Sequence, residues 1–358
     1  MTGAAETEPA SKGERRPFCA AASGARNEPL TATASRIDHW ILVEYRGAWA
    51  RDLLGGSLLS PRLKAHLREQ LAALRPSRLL FVKRPDRRTA AGRKVYLATS
   101  KPGAERLLGL EVEHQDDLHE VDLAGALSAG TASMAAPFSE LDEQLLVVCT
   151  HGKRDRCCAV RGRPVAAAIA DATGWDVWES SHLGGHRFAA TALLLPSGDM
   201  FGQLEPESAV EVLRQFDAGR IVPAYYRGQC AQPLAAQAAL HTAAVRLGDF
   251  RRGAIEVVAL RPGLAGAGTG WPEAADPGRP AAAAAGSPAA AGTGRAAADR
   301  WEAEVVHRAG DGGPESGPEA GYRVTVAGTR LAPALLSCGD TEPKAEVRYE
   351  AIGFTRIW

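Results

Sequence analysis

Thiol and imidazole side chains concentrate between Cys149 and His186 with ordered spacing. Cys149, eight residues, Cys158, twenty-three residues, His182, three residues and His186 form a candidate Cys2His2 metal set, with Cys157 and His151 in reserve. Thiolate and imidazole are the donors that zinc and iron–sulfur centres use. Lys153, Arg154 and Arg156 lie between the two cysteines and favour the thiolate form that a metal needs. The same charges read equally as a solvated basic loop paired with Asp155.

Spacing argues against several chemistries. Zinc fingers pair their cysteines over two to four residues, whereas the gap here is eight. Cys149-Thr-His151 has the form of a Rieske Cys-x-His, but no second Cys-x-x-His follows it. A thioredoxin-type redox site needs Cys-x-x-Cys, which is absent; the vicinal Cys157-Cys158 pair offers only a strained disulfide. A helical H-E-x-x-H metalloprotease is also disfavoured, because Gly184 and Gly185 between the histidines are poor helix formers and predict a tight loop. Such glycines let backbone N–H groups approach a bulky inorganic centre. A [2Fe–2S] centre spans two irons and accommodates the wider spacing, while tetrahedral zinc stays open as the alternative.

The rest of the chain must hold that stretch. At 358 residues it is long enough for two or three domains. Lys+Arg and Asp+Glu each number 42, so no global charge excess points to nucleic acid or to a membrane surface. The N-terminal residues contain no apolar run of signal-peptide type, and no later run is long enough for a bilayer, so a cytoplasmic protein is expected. Six cysteines are too sparse for a disulfide scaffold.

Residues 1–35 are rich in Ala, Gly and Pro and read as a flexible arm, with Cys19 an incidental thiol. Residues 36–135 follow as strand 40–44, a Ser60-capped helix with Leu63, Leu67, Leu71 and Leu74 on one face, and strands 78–83 and 94–98 around a loop of hairpin composition. Residues 114–140 read as a connection with one short strand. The order then repeats over 140–249: strand 145–149, an alanine-rich helix 164–173, strand 176–180, a longer strand 187–195, strand 200–204 and a helix opened by Pro206 with Ala209, Val212, Leu213 and Phe216 on one face. Cys230 and His241, around the next helix, read as a buried thiol and a packing residue. This repeated order is that of a thioredoxin-like layer of sheet and helices, so an α/β fold of two thioredoxin-like halves is expected, the second alone carrying ligands. Residues 250–358 add a small antiparallel β unit from alternating segments near 255–260, 301–307, 322–326 and 346–350. It is interrupted at 262–299 by an Ala/Gly/Pro-rich insertion expected to be disordered. Cys338 has no assigned role.

In sequence order, CTHGKRDRCC, SHLGGHRFA, LPSGDMFGQL and AYYRG, supported by EPLTATA, WILVEYRGAW and SCG, resemble the sucrase/ferredoxin-like proteins, a branch of the thioredoxin-like [2Fe–2S] ferredoxins. The resemblance covers most of residues 19–260. It implies a [2Fe–2S] cluster on Cys149, Cys158, His182 and His186, Cys157 ranking second to Cys158, and hence a ferredoxin-like electron-transfer protein. A redox partner, such as a reductase, would dock on a basic rim of Lys153, Arg154, Arg156 and Arg187. Partly exposed imidazole ligands would couple potential to pH. The alternatives are a zinc-stapled structural or interaction protein using the same four residues and, from the family name alone, a glycoside hydrolase, which would need two positioned carboxylates.

Overall fold

The computed structural model describes residues 18–86, 91–128, 137–172, 174–263, 299–309 and 319–358. Residues 1–17 of the N-terminal arm and 264–298 of the insertion lie outside the described residues. Residues 18–35 are not a flexible arm: α1 (Cys19–Ala25) buries Cys19, Ala20 and Ser23.

The first half contains β1 (His39–Glu44), α2 (Pro61–Ala73), β2 (Ser77–Lys83), β3 (Arg93–Thr99), β4 (Arg106–Val112), α3 (Leu123–Ser128) and β5 (Ser139–Glu140). Helix α2 starts where its cap predicts, the Ser60 hydroxyl accepting the Leu63 N–H at 3.2 Å. The connection at 114–140 holds a 3-10 turn (Gln115–Glu120), α3 and β5. The second half contains β6 (Leu145–Cys149), α4 (Arg156–Ala172), β7 (Asp176–Ser180), β8 (Ala192–Leu195), β9 (Asp199–Phe201), α5 (Pro206–Asp217) and β10 (Tyr226–Gln229).

All ten strands form one sheet, ordered β10-β9-β8-β6-β7-β2-β1-β3-β4-β5. Each half is built alike: a parallel pair (β1 with β2, β6 with β7), an antiparallel strand on the other side of the pair's first member (β3, β8), and a fourth strand antiparallel to that (β4, β9). This is the thioredoxin-like arrangement that the element order predicts, present twice. The halves meet where β2 and β7 pair antiparallel through Val82 with Ser180 and Lys83 with Glu179. β2 and β3, predicted as hairpin neighbours, are separated by β1, because the parallel β1–α2–β2 crossover leaves β1 free to pair on both edges.

Both faces of the sheet are covered, which is why its central strands read as continuous apolar runs rather than alternating ones. Trp40, Leu42, Leu80, Val82, Leu145, Val147, Cys149 and Trp178 belong to one core that crosses both halves. The intervening residues point to the opposite face, where Ile41 and Val43 meet Leu63 and Leu67 of α2, and Leu146 and Val148 meet Val165 and Ile169 of α4. Helix α5 buries Ala209, Val212, Leu213 and Phe216, the stripe predicted from its spacing.

Helix α4 starts eight residues before the predicted one and runs through Pro164. The missing proline N–H frees the Val160 carbonyl, and Val160 is 56% exposed, so water can satisfy it. The consequence is functional: Cys157 and Cys158 sit in the first helical turn instead of on a loop.

α6 (Leu234–Leu247) packs its alanines, Ala235, Ala238, Ala239 and Ala243, onto a separate four-stranded antiparallel sheet of β11 (Ile255–Pro262), β12 (Arg300–Arg308), β13 (Glu319–Arg330) and β14 (Val347–Arg356). Asp249, just after α6, accepts from Arg251 Nε at 3.0 Å and from His307 Nε2 at 2.8 Å, tying α6 to β12. Hydrogen bonding from Arg251 holds the Asp249 carboxyl below its usual range against the opposing effect of burial. A depressed folded-state value means that this stabilisation is present above the ordinary carboxylate range and is lost as pH falls through the depressed value. Asp249→Asn is expected to cost about 1 kcal/mol at neutral pH, solvent screening included, and to flatten the acid limb of the stability profile, which denaturant melts across pH will read.

Candidate metal centre

Cys149 ends β6, and His182 follows two residues after the end of β7, its parallel neighbour; Cys149 is in register with Ser180. Both therefore stand at the carboxyl ends of adjacent parallel strands, where α/β sheets open a crevice for ligands. Cys158 arrives from α4, which crosses between the same two strands. Close packing of α4 on β6 requires Gly162, since a Cβ there would run into the Cys149 carbonyl.

The loop carrying the histidines is shaped by Gly184 at φ +94° and Gly185 at φ +70°, both in the left-handed region. Two arginines clamp it. Arg78 donates to the Leu183 carbonyl, and the fully buried Arg227 donates to the Gly184 carbonyl at 3.1 Å, to the Thr33 hydroxyl at 3.1 Å and to the Thr33 carbonyl. Burial, and then Arg187 and Arg78, lowers Arg227 to about 9. A Cβ on Gly185 would collide with the Arg227 guanidinium.

Cys149, Cys158 and His182 offer ligand atoms that all lie within 4.8 Å of one another, and His182 Nδ1 is 3.9 Å from each sulfur. The thiols are buried and the imidazole is half-exposed. Burial opposes ionisation of Cys149, but hydrogen bonds from Cys158 and His182 outweigh it and hold that thiol well below its ordinary range. Cys158, hydrogen-bonded to that sulfur and buried, is pushed up.

His186 stands beside His182 with ring centroids 5.3 Å apart, yet its Nδ1 faces elsewhere. It lies 3.4 Å from Asp155 Oδ2 and 3.6 Å from Cys19 Sγ. Burial, and then His182, lowers the His186 imidazole to about 4. The reserve residue His151 is buried against Trp49, with ring centroids 5.8 Å apart and edge-on geometry. Cys157 points away from Cys149, to within 3.4 Å of both Cys19 and Cys338. Cys19, Asp155, Cys157 and Cys338 form a second group whose ligand atoms lie within 4.8 Å of one another.

Five of the six cysteines thus gather at one end of the sheet, and Cys230 alone stays apart, its thiol donating to the Ile37 carbonyl. The incidental thiol Cys19 and the unassigned Cys338 were the residues missed by sequence reasoning. Their signals are that they are two of six cysteines, that the resemblance begins at residue 19 and that SCG, which holds Cys338, is one of its supporting matches. Cys338 comes from a loop between β13 and β14 that doubles back through the Ala334–Lys344 bridge. Arg187, predicted on a docking rim, is an interior tie: it pairs with Glu28 of the N-terminal segment and with Glu346 before β14. Lys153 and Arg156 are exposed.

Both groups, one of Cys and His and one of Cys and Asp, are compatible with metal binding, and no helix among the described residues is long and apolar enough to cross a membrane. No curated protein and no solved structure matches the chain. The family described as sucrase/ferredoxin-like matches residues 30–228, more than half the chain and the whole span from Cys149 to His186. On that match, and with the paired thiols and histidines at the strand ends, the chain belongs to the sucrase/ferredoxin-like family.

Proposed function

We propose that this protein is a cytoplasmic electron-transfer protein of ferredoxin type, holding a [2Fe–2S] cluster on Cys149, Cys158, His182 and His186. The observation that supports the reading is the meeting of two buried thiols and the partly exposed His182 imidazole at the ends of β6, β7 and α4, with the His186 ring beside His182. The donor set fits such a group: thiolates on one side, neutral nitrogen ligands on the other. When bound, the cluster supplies one-electron redox chemistry. The chain's own residues do the rest. Arg227 and Arg78 fix the histidine loop, and Gly184 and Gly185 set its turn. His186, whose Nδ1 faces Asp155, would ligate through Nε2, the carboxylate orienting the ring in the way that outer partners orient metal-bound histidines. A protein partner would approach the half-exposed histidine side, with Lys153 and Arg156 as the exposed basic residues nearby in sequence.

Protein purified without oxygen is expected to be coloured and to contain two irons and two acid-labile sulfides per chain. Colourless protein with a single zinc at this site would overturn the reading. That zinc alternative has an observation in its favour, since the Cys149, Cys158 and His182 donors are close enough to surround one tetrahedral ion. Glycoside hydrolysis, which needs two carboxylates flanking the scissile bond, has no such observation in its favour. His186→Cys is expected to keep a cluster whose potential is lower than that of the wild type, because a thiolate replaces a neutral ligand. Redox titration followed in the visible range checks this, and an unchanged potential would remove His186 from the ligand set.

A further inference from the structure

Cys19 lies at the start of α1, Cys157 in the first turn of α4 and Cys338 in the loop before β14, so three distant parts of the chain bring a thiol to one point. Cys19 and Cys338 both lie outside the residues that match the family, and Asp155 completes the group. We propose that Cys19, Cys157, Cys338 and the Asp155 carboxylate form a second metal site that takes one zinc ion in tetrahedral coordination and staples the N-terminal helix, α4 and the C-terminal β unit together. The two sites share Asp155, whose Oδ2 lies 3.4 Å from His186 Nδ1, and the metal counts expected below rest on the reading that iron occupies the neighbouring Cys149 and Cys158 site.

Four observations support it. The first is spacing. Cys157 Sγ lies 3.4 Å from Cys19 Sγ and 3.4 Å from Cys338 Sγ. A tetrahedron with metal–sulfur bonds of ~2.3 Å has sulfur–sulfur edges of about 3.8 Å, so small movements accommodate an ion. A disulfide would need about 2.05 Å and would leave one of the three sulfurs out.

The second is the direction of the surrounding donors. The Cys19 N–H points at Cys338 Sγ at 3.3 Å, and the Ala20 N–H at Cys157 Sγ at 3.5 Å. Backbone N–H groups aimed at sulfur stabilise thiolates, the form in which cysteine binds a metal.

The third is charge. Asp155 is 3% exposed and accepts from the Cys157 N–H at 2.9 Å, the Cys338 N–H at 2.9 Å and the Ser337 hydroxyl at 2.8 Å, while its Oδ1 is 3.6 Å from Cys19 Sγ. A buried carboxylate beside three thiols, which bind a metal as thiolates, makes a donor set whose negative charge a divalent cation offsets. On binding, the ion replaces the thiol protons, which leave to solvent, and no oxidation is involved.

The fourth is position. Cys19 and Cys157 are 138 residues apart and Cys157 and Cys338 are 181 apart, so one ion closes two long loops. The seven-residue α1 has only the small side chains of Cys, Ala, Ser and Gly to pack with, and a tie of this kind supplies what packing does not.

The test is metal analysis of the full chain. The wild type is expected to carry about one zinc, and Cys19→Ser and Cys338→Ser to lose nearly all of it while keeping wild-type iron and sulfide. The Cys149→Ala/Cys158→Ala variant is expected to do the reverse, losing iron and keeping zinc. In that same background, after the zinc is removed, added Co2+ should give an intense thiolate-to-cobalt charge-transfer band that equimolar Zn2+ abolishes. This measurement holds even if the Cys19 and Cys338 variants do not fold. Zinc retained in both serine variants, iron lost from them in place of zinc, no cobalt band in the double variant, or a Cys157 disulfide found by mass spectrometry in its place would each overturn the site.

Discussion

Cys158→Ser protein prepared without oxygen is expected to lose most of its iron and visible absorbance, whereas Cys157→Ser is expected to keep both. The two cysteines are neighbours in sequence, and one residue along a helix turns a side chain by about 100°. In the first turn of α4 that rotation sends them to different places: Cys158 Sγ to 3.9 Å from His182 Nδ1, Cys157 Sγ to 3.4 Å from Cys19 and Cys338. A serine at 158 leaves Cys149 and His182 without the second thiolate that the buried side of the site needs. A serine at 157 leaves those donors untouched and acts on the other group. Iron and sulfide counts with a visible spectrum decide it. Equal loss in the two variants would mean that the groups form one larger centre, and loss in Cys157→Ser alone would exchange the two assignments.

Gly162→Ala is expected to destabilise the fold by about 2 kcal/mol and to lower metal content, although alanine is the better helix former. The added methyl would strike the Cys149 carbonyl, a backbone atom in the central strand β6, with Thr150 beside it. Neither α4 nor β6 can yield locally, because Val165 and Ile169 of the helix pack on Leu146 and Val148 of the strand. The helix must tilt away, and Cys158 goes with it, away from Cys149. Gly174→Ala is the control: nothing lies within 4 Å of a Cβ at that position, so no loss is expected there. Denaturant midpoints measured for both variants check the contrast, and a Gly162→Ala protein as stable as the wild type would show that helix and strand are not in contact at this point.

Much of the architecture was legible because it depends on local pattern. Ser60-Pro61 and the leucines behind it announced α2, Pro206 and its apolar stripe announced α5, and the alternating segments after residue 250 announced the separate antiparallel sheet. Pro164 concealed the true start of α4, since an interior proline reads as a helix boundary when the exposure of its unpaired carbonyl is unknown. The loop of hairpin composition after β2 misled for a related reason: which strand pairs with which is a long-range matter, and β1 took the place that a hairpin would have used.

The amino-acid sequence by itself determined the thioredoxin-like element order, its repetition, and a dense ligand stretch from Cys149 to His186, because periodicity, caps and spacing are properties of neighbouring residues. Only the tertiary structure decided that the two halves share one sheet through β2 and β7, that Cys157 and Cys158 diverge, and that His186 Nδ1 turns to Asp155. It also brought Cys19 and Cys338 to a point that no spacing rule connects. Their meeting depends on a helix before the first strand and a loop after the second sheet arriving at the same end of α4, and contacts between segments so far apart along the chain exist only once the intervening elements have packed.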